Sequence, residues 1–403
     1  MMKETKMKRV PKLRFPEFTD DWEQRKVGEL TLESSEYATL SSKLPLLTSS
    51  RSGLMYQNEY RGNLTTESEK TIFSVVPVGT CTYRHMSDDD IFHLNINTIE
   101  KGLVSREYPV FMASEDNVLE FIVQYINSSS KFRAFCAEQK KGGTRTRLYY
   151  KTLCEFSFMV TKSKEQQRIA EFFTDLDHLI TLHQRKLEKL KKLRKGMMQK
   201  LFSQEIRFKA DDGSGFPEWE EKKVGSLGDI VGGGTPSTKK KEYWCGKIAW
   251  VSSADIGDND IRNINITRFI TREAIADSAT KIIPKDSILI VSRVGVGKVA
   301  KASCNLCTSQ DFTNIVNLDG DVTFLSYAVL RLMQSKLQCV QGTSIKGIPN
   351  DEIKNYTLNI PCLAEQQKIA NCLSSLDGVI EKQKATLAAW EELKKGLLQQ
   401  MFV

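Results

Sequence analysis

Two long stretches of the chain place apolar side chains at every seventh position, in two interleaved rows. Residues 165–202 and 365–402 both show this pattern, and neither contains a proline. Because such heptads are typical of coiled coils, both stretches are predicted to be long helices that share an apolar seam. The predicted helix-pairing residues are Phe173, Leu176, Ile180, Leu187, Leu190 and Leu201 in the first stretch, and Leu373, Leu376, Ile380, Leu387, Trp390 and Met401 in the second.

The two stretches are copies of one another. They align without a gap at an offset of 200 residues, and 14 of their 38 positions are identical. Polar residues interrupt both seams at equivalent places, first His183 and Gln383, then Arg194 and Lys394. Matched interruptions favour helices that pair with each other in a fixed register. The pattern also allows two separate amphipathic helices, each packed on its own globule.

The segments before the two helices predict globular domains of the α/β (α+β) class, duplicated in tandem. Short apolar runs bounded by Gly and Ser, such as 247–256 and 286–300, are typical of strands. Both segments begin alike, with DWEQRKVGEL from Asp21 and EWEEKKVGSL from Glu218. The predicted regions are a first domain at 1–161, a central long helix at 162–208, a second domain at 209–362 and a C-terminal long helix at 363–403.

Chain order predicts that the two helices run antiparallel. The first helix leaves the first domain and arrives at the second, so a paired second helix runs back. We therefore expect a pseudo-twofold architecture in which two long antiparallel coiled-coil helices join the domains. About 35 helical residues span roughly 50 Å, which exceeds the ~34–36 Å of one DNA turn.

The net charge of +8 is concentrated on the first long helix. Residues 162–209 contain 13 Lys and Arg against 6 Asp and Glu. This surplus indicates either a solvated helix face or a basic surface for a polyanion or an acidic partner. No apolar run reaches the length of a membrane span, and the basic N-terminus lacks the apolar stretch of a signal peptide. With nine singly spaced cysteines, these features predict a cytoplasmic protein with reduced thiols and no membrane partner.

Four kinds of motif occur in order along the chain. The long helices begin with EQQRIA at 165–170 and EQQKIA at 365–370, and contain LRKG at 193–196 and LKKG at 393–396. FPEF at 15–18 and FPEW at 216–219 lead into the domains, and GGTPS follows at 233–237. This ordered set resembles the specificity subunit of type I restriction–modification systems, over the whole chain.

The resemblance implies a function and a set of partners. It implies two target-recognition domains, each reading one half of a bipartite target in double-stranded DNA, with the helices setting the spacing. It also implies assembly with two DNA methyltransferase subunits, and with two restriction subunits that translocate DNA. One departure is that the first domain lacks the GGTPS loop of the second.

A specificity subunit reads base edges and holds phosphates, so polar loops and isolated cations are the candidate DNA contacts. Arg51 is a candidate reader of guanine. Ordinary turn chemistry is the alternative for the serine loops, and a solvated lysine run for the GGTPS loop. The candidates in the first domain are Ser49, Ser50, Arg51, Arg84, Arg145 and Arg147. Those in the second are Thr235, Ser237, Lys239, Lys240, Ser252, Ser253, Asp255, Arg293, Lys298, Ser344 and Lys346.

The sequence contains no motif for catalysis. GVGKV at 295–299 departs from the phosphate-binding P-loop, since Val299 stands where Ser or Thr is needed. Cys304 and Cys307 form one CxxC without a second ligand pair, which favours reduced, buried thiols over zinc. We therefore predict a non-catalytic subunit with no cofactor and no metal. A stand-alone bivalent DNA-binding regulator and an enzyme with an unrecognised active site are the alternatives.

Overall fold

The structure is a computed structural model that describes residues 10–62, 69–140, 142, 144–339 and 347–402. The chain forms two compact units. Unit 1 consists of residues 1–185 and 385–403, and unit 2 consists of residues 186–384. The division falls inside both long helices, whereas the four predicted regions break at the helix ends. Each unit therefore contains one globular part and a segment of each long helix.

Unit 1 is a mixture of short strands and helices. Its described strands are β1 (Glu23–Lys26), β2 (Thr31–Glu33), β3 (Tyr37–Ala38), β4 (Leu47–Ser50), β5 (Gly53–Tyr56), β6 (Phe73–Val76), β7 (Cys81–Thr82), β8 (Met86–Ser87), β9 (Asn95–Ile96), β10 (Gly102–Ser105), β11 (Val110–Ala113), β12 (Thr146–Arg147) and β13 (Ser157–Val160). Its helices are α1 (Val27–Leu30), α2 (Gln57–Arg61), α3 (Leu119–Ser128), α4 (Ser130–Glu138), α5 (Tyr150–Leu153), the first part of α6 (Ser163–Phe202) and the last part of the C-terminal helix α10 (Leu363–Met401).

Two sheets carry most of the strands of unit 1. One has the order β2-β11-β7-β9 and the other the order β10-β6-β3. The strands β4 and β5 form an antiparallel hairpin, and β12 pairs with β8. Helix α3 is apolar on most of its positions and lies in the main core, where Phe121 and Ile122 are fully buried.

Unit 2 is built from a second set of elements. Its described strands are β14 (Glu220–Lys223), β15 (Asp229–Gly232), β16 (Ile248–Val251), β17 (Arg268–Ile270), β18 (Ile282–Ile283), β19 (Ile288–Val291), β20 (Val299–Lys301), β21 (Leu306–Thr308), β22 (Phe312–Val316) and β23 (Thr357–Ile360). Its helices are the second part of α6, α7 (Arg272–Ala276), α8 (Val322–Cys339), α9 (Asn350–Asn355) and the first part of α10 (Leu363–Met401). The strands form sheets with the orders β15-β22-β19-β20 and β17-β16-β21-β18.

Both units fasten the start of a long helix to the globular part in the same way. A two-stranded antiparallel ribbon, β1 with β13 or β14 with β23, precedes each long helix. The glutamate of the EQQ motif is buried and accepts two hydrogen bonds from one arginine. Arg14 donates to Glu165 at 2.6 and 2.7 Å, and Arg207 donates to Glu365 at 2.8 and 3.2 Å. Such paired bonds satisfy a carboxylate that burial alone would destabilise.

The first glutamine of the EQQ motif makes a second link to the globular part. Gln166 accepts from the Val118 N–H at 2.9 Å, and Gln366 accepts from the Asp321 N–H at the same distance. These N–H groups lie just before α3 and α8, so each glutamine ties a globular helix to a long helix. The repeated EQQ motif is therefore a structural anchor.

In unit 1 the two long helices pair antiparallel. Phe173 stacks on Phe402 with 5.9 Å between ring centroids, Asp177 accepts from Lys394, and His183 lies against Trp390. Because the partner number falls as the α6 number rises, the segments run in opposite directions. Phe173, Leu176, Ile180 and Met401 are buried here, and Leu387 and Trp390 are half-buried.

In unit 2 the same pairing recurs. Arg194 donates to Asp377, and Arg207 just beyond α6 donates to Glu365, so this pairing is also antiparallel. Leu201 and Leu373 share the core of the unit. Leu187 and Ile380 are buried, while Leu190 and Leu376 are half-buried.

Candidate DNA interface

A concavity of about 340 Å³ in unit 1 gathers four of the predicted DNA contacts. Ser49, Ser50, Arg51 and Arg84 line it together with the segment around Ser87. The β4–β5 hairpin presents the serines, while Arg84 follows β7. Both serine hydroxyls already make hydrogen bonds within unit 1. Ser49 accepts from Asn95 at 2.7 Å, and Ser50 donates to the Gly53 carbonyl at 2.9 Å.

An acidic segment that the sequence analysis did not single out lies beside the unit 1 cations. Asp88 accepts from Arg145 at 2.7 Å, and Asp89 accepts from Arg51. Asp90 accepts from the Thr146 hydroxyl. The run SDDD at 87–90 was the signal that could have revealed this segment. The predicted cations are therefore partly balanced by carboxylates of their own unit.

Arg84 and Arg147 flank a buried histidine. His85 is 3% exposed and stacks on Tyr149 with 5.7 Å between ring centroids. Burial lowers the pKa of His85, and the charges of Arg147 and Arg84 lower it further, while Glu107 opposes them. Both arginines are exposed, and within the described residues neither side chain has a hydrogen-bond or ion-pair partner. They are thus available to an external anion.

In unit 2 two tryptophans fix the GGTPS loop. Trp250 donates to the Gly234 carbonyl at 2.9 Å, and Trp244 donates to the Ser237 carbonyl at 3.2 Å. A side chain at Gly233 would lie 2.0 Å from the Ser309 carbonyl, so this close approach requires glycine. The loop is therefore held rigidly while its outer side chains stay exposed.

The exposed side chains in and just after the GGTPS loop differ in whether they have a hydrogen-bond partner within the protein. Thr235 donates to Gln310, an exposed amide that sequence reasoning missed. Lys240 donates to the Tyr243 hydroxyl at 2.6 Å and lies over the same ring. Lys239 is exposed, and in the described part of the chain its side chain has no partner. Of the two lysines, Lys239 is the freer contact for a phosphate.

Asp255 belongs to a small polar network with Ser252 and with Arg268, an arginine that was not predicted from the sequence. Its carboxylate accepts from the Ser252 N–H at 2.7 Å, while the Ser252 side chain accepts from the Asp255 N–H, and together these bonds form a capping box. The Ser252 hydroxyl also lies 2.9 Å from the carboxylate, to which it donates. The carboxylate also accepts from Arg268, which is paired with Trp250 across β16 and β17 and lies 4.6 Å from that ring. Burial acts to raise the pKa of Asp255, but these hydrogen bonds outweigh it and lower the pKa. Ser253 beside them is buried.

The remaining predicted contacts of unit 2 lie apart from this network. Arg293 is exposed in a turn where Gly295 and Gly297 have positive φ angles of 80° and 95°. Lys298 points back into the protein, since it donates to the Ile256 carbonyl at 3.0 Å and lies 3.4 Å from Asp258. Ser344 and Lys346 lie outside the described residues.

Three further findings concern the two cysteines, metal binding and membrane spans. Cys307 is buried, which raises its pKa to about 11, but Cys304 is exposed, so the expectation of two buried thiols was wrong for Cys304. Across the described residues, no group of three or more His, Cys, Asp or Glu side chains is placed to hold a metal. Nor does any helix among them have the length and apolarity of a membrane span.

Comparison with known proteins gives relatives of one kind. The chain is 35% identical over 207 residues to the MjaIX specificity subunit of a type I restriction enzyme from Methanocaldococcus jannaschii, matching 50% of this chain and 48% of that protein. A second M. jannaschii protein, the putative MjaX specificity subunit, is 26% identical over 245 residues, matching 58% of this chain and 56% of that protein. The chain thus spans about half the length of the curated relatives it matches.

A solved structure shares the fold over nearly its full length. The type I S subunit from M. genitalium superposes with a TM-score of 0.61 at 14% identity, covering 98% of this chain and 99% of that one. The model of the family described as "Type I restriction modification DNA specificity domain" matches residues 93–192 and 217–389, more than half of the chain. Tandem domains of mixed helix and sheet with two long helices are therefore the fold of a protein that belongs to this specificity-domain family.

Proposed function

We propose that this chain reads a bipartite DNA sequence for a type I restriction–modification complex, with the globular part of each unit reading one half. The observation that carries the proposal is the repeated anchor. In both units an arginine–glutamate pair and a glutamine bond fasten a globular part to the paired helices. A duplicated scaffold with different loops suits two readers of different sequences.

The exposed cations support DNA as the ligand. Arg51, Arg84 and Arg147 in unit 1, and Lys239 and Arg293 in unit 2, present their charges to solvent. Arginine can bond guanine O6 and N7 together, whereas lysine suits phosphate oxygens. The globular parts thus offer both the positioning and the specifying kinds of contact.

Exposed apolar side chains on the long helices support docking of two copies of one partner. Leu179 and Leu393 in unit 1 are 41% and 47% exposed. The residues at the 200-residue offset are Val379 and Leu193 in unit 2, which are 49% and 53% exposed. Contiguous exposed apolar patches rimmed by polar residues mark protein interfaces, and the 200-residue repeat makes these four positions candidates for two such patches. We assign them to two methyltransferase subunits, with two restriction subunits completing the complex.

In this proposal the chain supplies recognition and the partners supply catalysis. Methylation of a base requires that the base leave the helix and enter a catalytic pocket, and we assign that step to the methyltransferase subunits. The chain itself would need no cofactor. Because DNA is the proposed ligand, we expect the complex to act in the cytoplasm.

Exchange of one globular part tests the assignment of half-sites. Residues 210–361 would be replaced by the matching segment of a relative, and methylated sites would be mapped in cells that also make the methyltransferase subunit. We expect one half-site to change and the other to stay. A change in both halves would contradict the assignment of one unit to one half-site.

A purification experiment separates this function from a stand-alone regulator. The tagged chain should capture the methyltransferase subunit in a fixed stoichiometry, and Leu193→Glu with Val379→Glu should weaken that capture. Lys192→Glu is the matched control, since it also introduces a glutamate at an exposed α6 position. A chain that binds its DNA site fully without any methyltransferase subunit would favour the regulator.

A further inference from the structure

The acidic segment Ser87–Asp90 holds two of the exposed arginines in different ways. Asp89 accepts from Arg51, and Asp88 accepts from Arg145 at 2.7 Å. Both pairs are open to solvent, with side-chain exposures of 60% and 45% for Arg51 and Asp89, and of 52% and 68% for Arg145 and Asp88. Exposed pairs of this kind contribute little to folding stability, so stability does not explain why the segment is there.

Of the two aspartates that pair with these arginines, Asp89 is the one with a second side-chain hydrogen bond among the described residues. The hydroxyl of Ser87 donates to Asp89 at 2.9 Å, and the same oxygen accepts from the Ile91 N–H at 3.1 Å. Ser87 is buried and belongs to β8, where it pairs with Thr146. Hydrogen bonds from Arg51 and Ser87 lower the pKa of Asp89, so its carboxylate stays charged. Asp88 has no such support, because Arg145 is its one side-chain partner among the described residues.

The carboxylate of Asp89 contacts Arg51 and leaves most of its donors free. Arginine has five N–H donors in a planar fork, and Asp89 takes a bond from one nitrogen of Arg51. The side chain lines the concavity with Ser49, Ser50 and Arg84. A guanidinium held in one plane can match the O6 and N7 acceptors of guanine, whereas a freely moving one satisfies any phosphate.

We propose that Asp89 is a positioning residue that orients Arg51 toward a guanine in the half-site read by unit 1, and that Asp88 only balances the charge of Arg145. This inference rests on the proposed function, since it names how one of the two readers distinguishes its bases. Asp88 and Asp89 are neighbours with the same charge, and both are exposed, so they form a matched pair for its test.

The test compares Asp89→Asn, Asp88→Asn and Arg51→Lys in the assembled complex with its methyltransferase subunit. Methylated sites would be mapped in cells, and affinities measured for duplexes in which each base pair of the half-site is replaced. Asp89→Asn and Arg51→Lys should both relax the same G·C position, with discrimination there falling about five-fold or more, as expected for a lost bidentate contact. Asp88→Asn should keep the wild-type motif. Asp89→Glu should restore part of the discrimination.

Three outcomes would overturn the inference. The first is an unchanged motif in Asp89→Asn when Arg51→Lys relaxes it, which would leave Arg51 independent of Asp89. The second is equal relaxation by Asp88→Asn and Asp89→Asn, which would indicate a charge effect alone. The third is a motif that Arg51→Lys leaves intact. In vitro duplex affinities decide the matter even for a variant that no longer methylates. Exchange of residues 210–361 reports on the proposed function separately, because it leaves Arg51 and Asp89 untouched.

Discussion

The two units contain the same repeated ion pair in different surroundings. In unit 2, Arg194 and Asp377 are 13% and 4% exposed at the side chain, and Asp377 also accepts from the Tyr327 hydroxyl at 2.6 Å. In unit 1, the pair at equivalent positions is Lys394 with Asp177, which are 28% and 49% exposed. The duplicated helices thus retain the pair, but in unit 2 it belongs to a buried polar network.

One residue of the adjoining globular helix contributes to this difference in burial. Tyr327 lies six residues after Asp321, whose N–H is bound by Gln366. Six residues after Val118, the equivalent point in unit 1, stands Gln124, which donates to the Ala170 carbonyl at 3.3 Å instead. The comparison teaches that the repeated helices set where polar groups meet, while the globular part decides how deeply they are buried.

Substitutions in the apolar seam of the long helices should show the largest difference in stability loss between equivalent positions of the two units. Leu187 in unit 2 is 7% exposed, while its counterpart Leu387 in unit 1 is only half-buried. Leu187→Asp buries an unpaired charge and should cost several kcal/mol, a large part of a typical stability margin. Leu387→Asp should cost less, because water reaches that side chain. Denaturant unfolding and recovery of soluble chain measure both variants. Equal stability losses in the two variants would contradict the conclusion that Leu187 is more deeply buried than Leu387.

Removal of the repeated ion pair should give the next largest difference in stability loss between the two units. Asp377→Ala leaves Arg194 buried without its partner and removes the acceptor of Tyr327, so we expect a loss of about 3 kcal/mol. Asp177→Ala removes a pair that is partly exposed and should cost below about 1 kcal/mol. Hydrogen exchange in peptides from 186–202 and from 163–185 assigns each effect to its unit. The double variant Arg194→Met with Asp377→Leu should regain stability, since no buried charge is then left unpaired. Failure of that rescue would point to Tyr327 as the main loss.

Acid should weaken unit 1 before unit 2, because unit 2 contains no histidine, whereas unit 1 contains His85 and His93. Burial lowers the pKa of His85 and also that of His93. Their neutral forms therefore stabilise the fold fully above the ordinary pKa of about 6.5, and this stability is lost as the pH falls below it toward the lowered folded pKa. Hydrogen exchange at pH 7.5 and 5.5 should show unit 1 opening more at the lower pH. His85→Gln should reduce the difference, with His178→Gln as the exposed control.

The helices were the part of the fold that the sequence predicted best. Heptads without proline predicted long helices, and α6 and α10 run from Ser163 to Phe202 and from Leu363 to Met401. Periodicity reveals such helices because their burial repeats along one face. It did not reveal that EQQ is an anchor, because Arg14 and Glu165 are 151 residues apart in the chain.

The candidate contacts were harder to predict, because each depends on long-range packing. Exposure of Arg51 and Lys239 followed from residue type, but the partners of Arg51 and of Lys298 come from other loops. Arg268 and Gln310 were missed, since nothing near them in the sequence marks the Trp250 ring or the Thr235 hydroxyl as neighbours. A local pattern gives the residue type at a surface, whereas the partner that fixes its direction comes from the tertiary fold.

The smallest expected effect is on the salt dependence of DNA binding, which should differ between an unpaired cation and one that is paired with a carboxylate. Lys239 in unit 2 is exposed without a side-chain partner among the described residues, whereas Arg145 in unit 1 is paired with Asp88. Each phosphate neutralised by a free cation adds about 0.9 to the slope of log affinity against log salt. Lys239→Ala should therefore lower the slope by nearly that amount and leave the preferred bases unchanged. Arg145→Ala should lower it less, because Asp88 already offsets part of its charge. Titrations of the assembled complex on its own site between 50 and 200 mM salt measure both slopes. If Arg145→Ala lowered the slope as much as Lys239→Ala, the ion pair with Asp88 would have to open completely when DNA binds, and the acidic segment would not discriminate between the two kinds of cation.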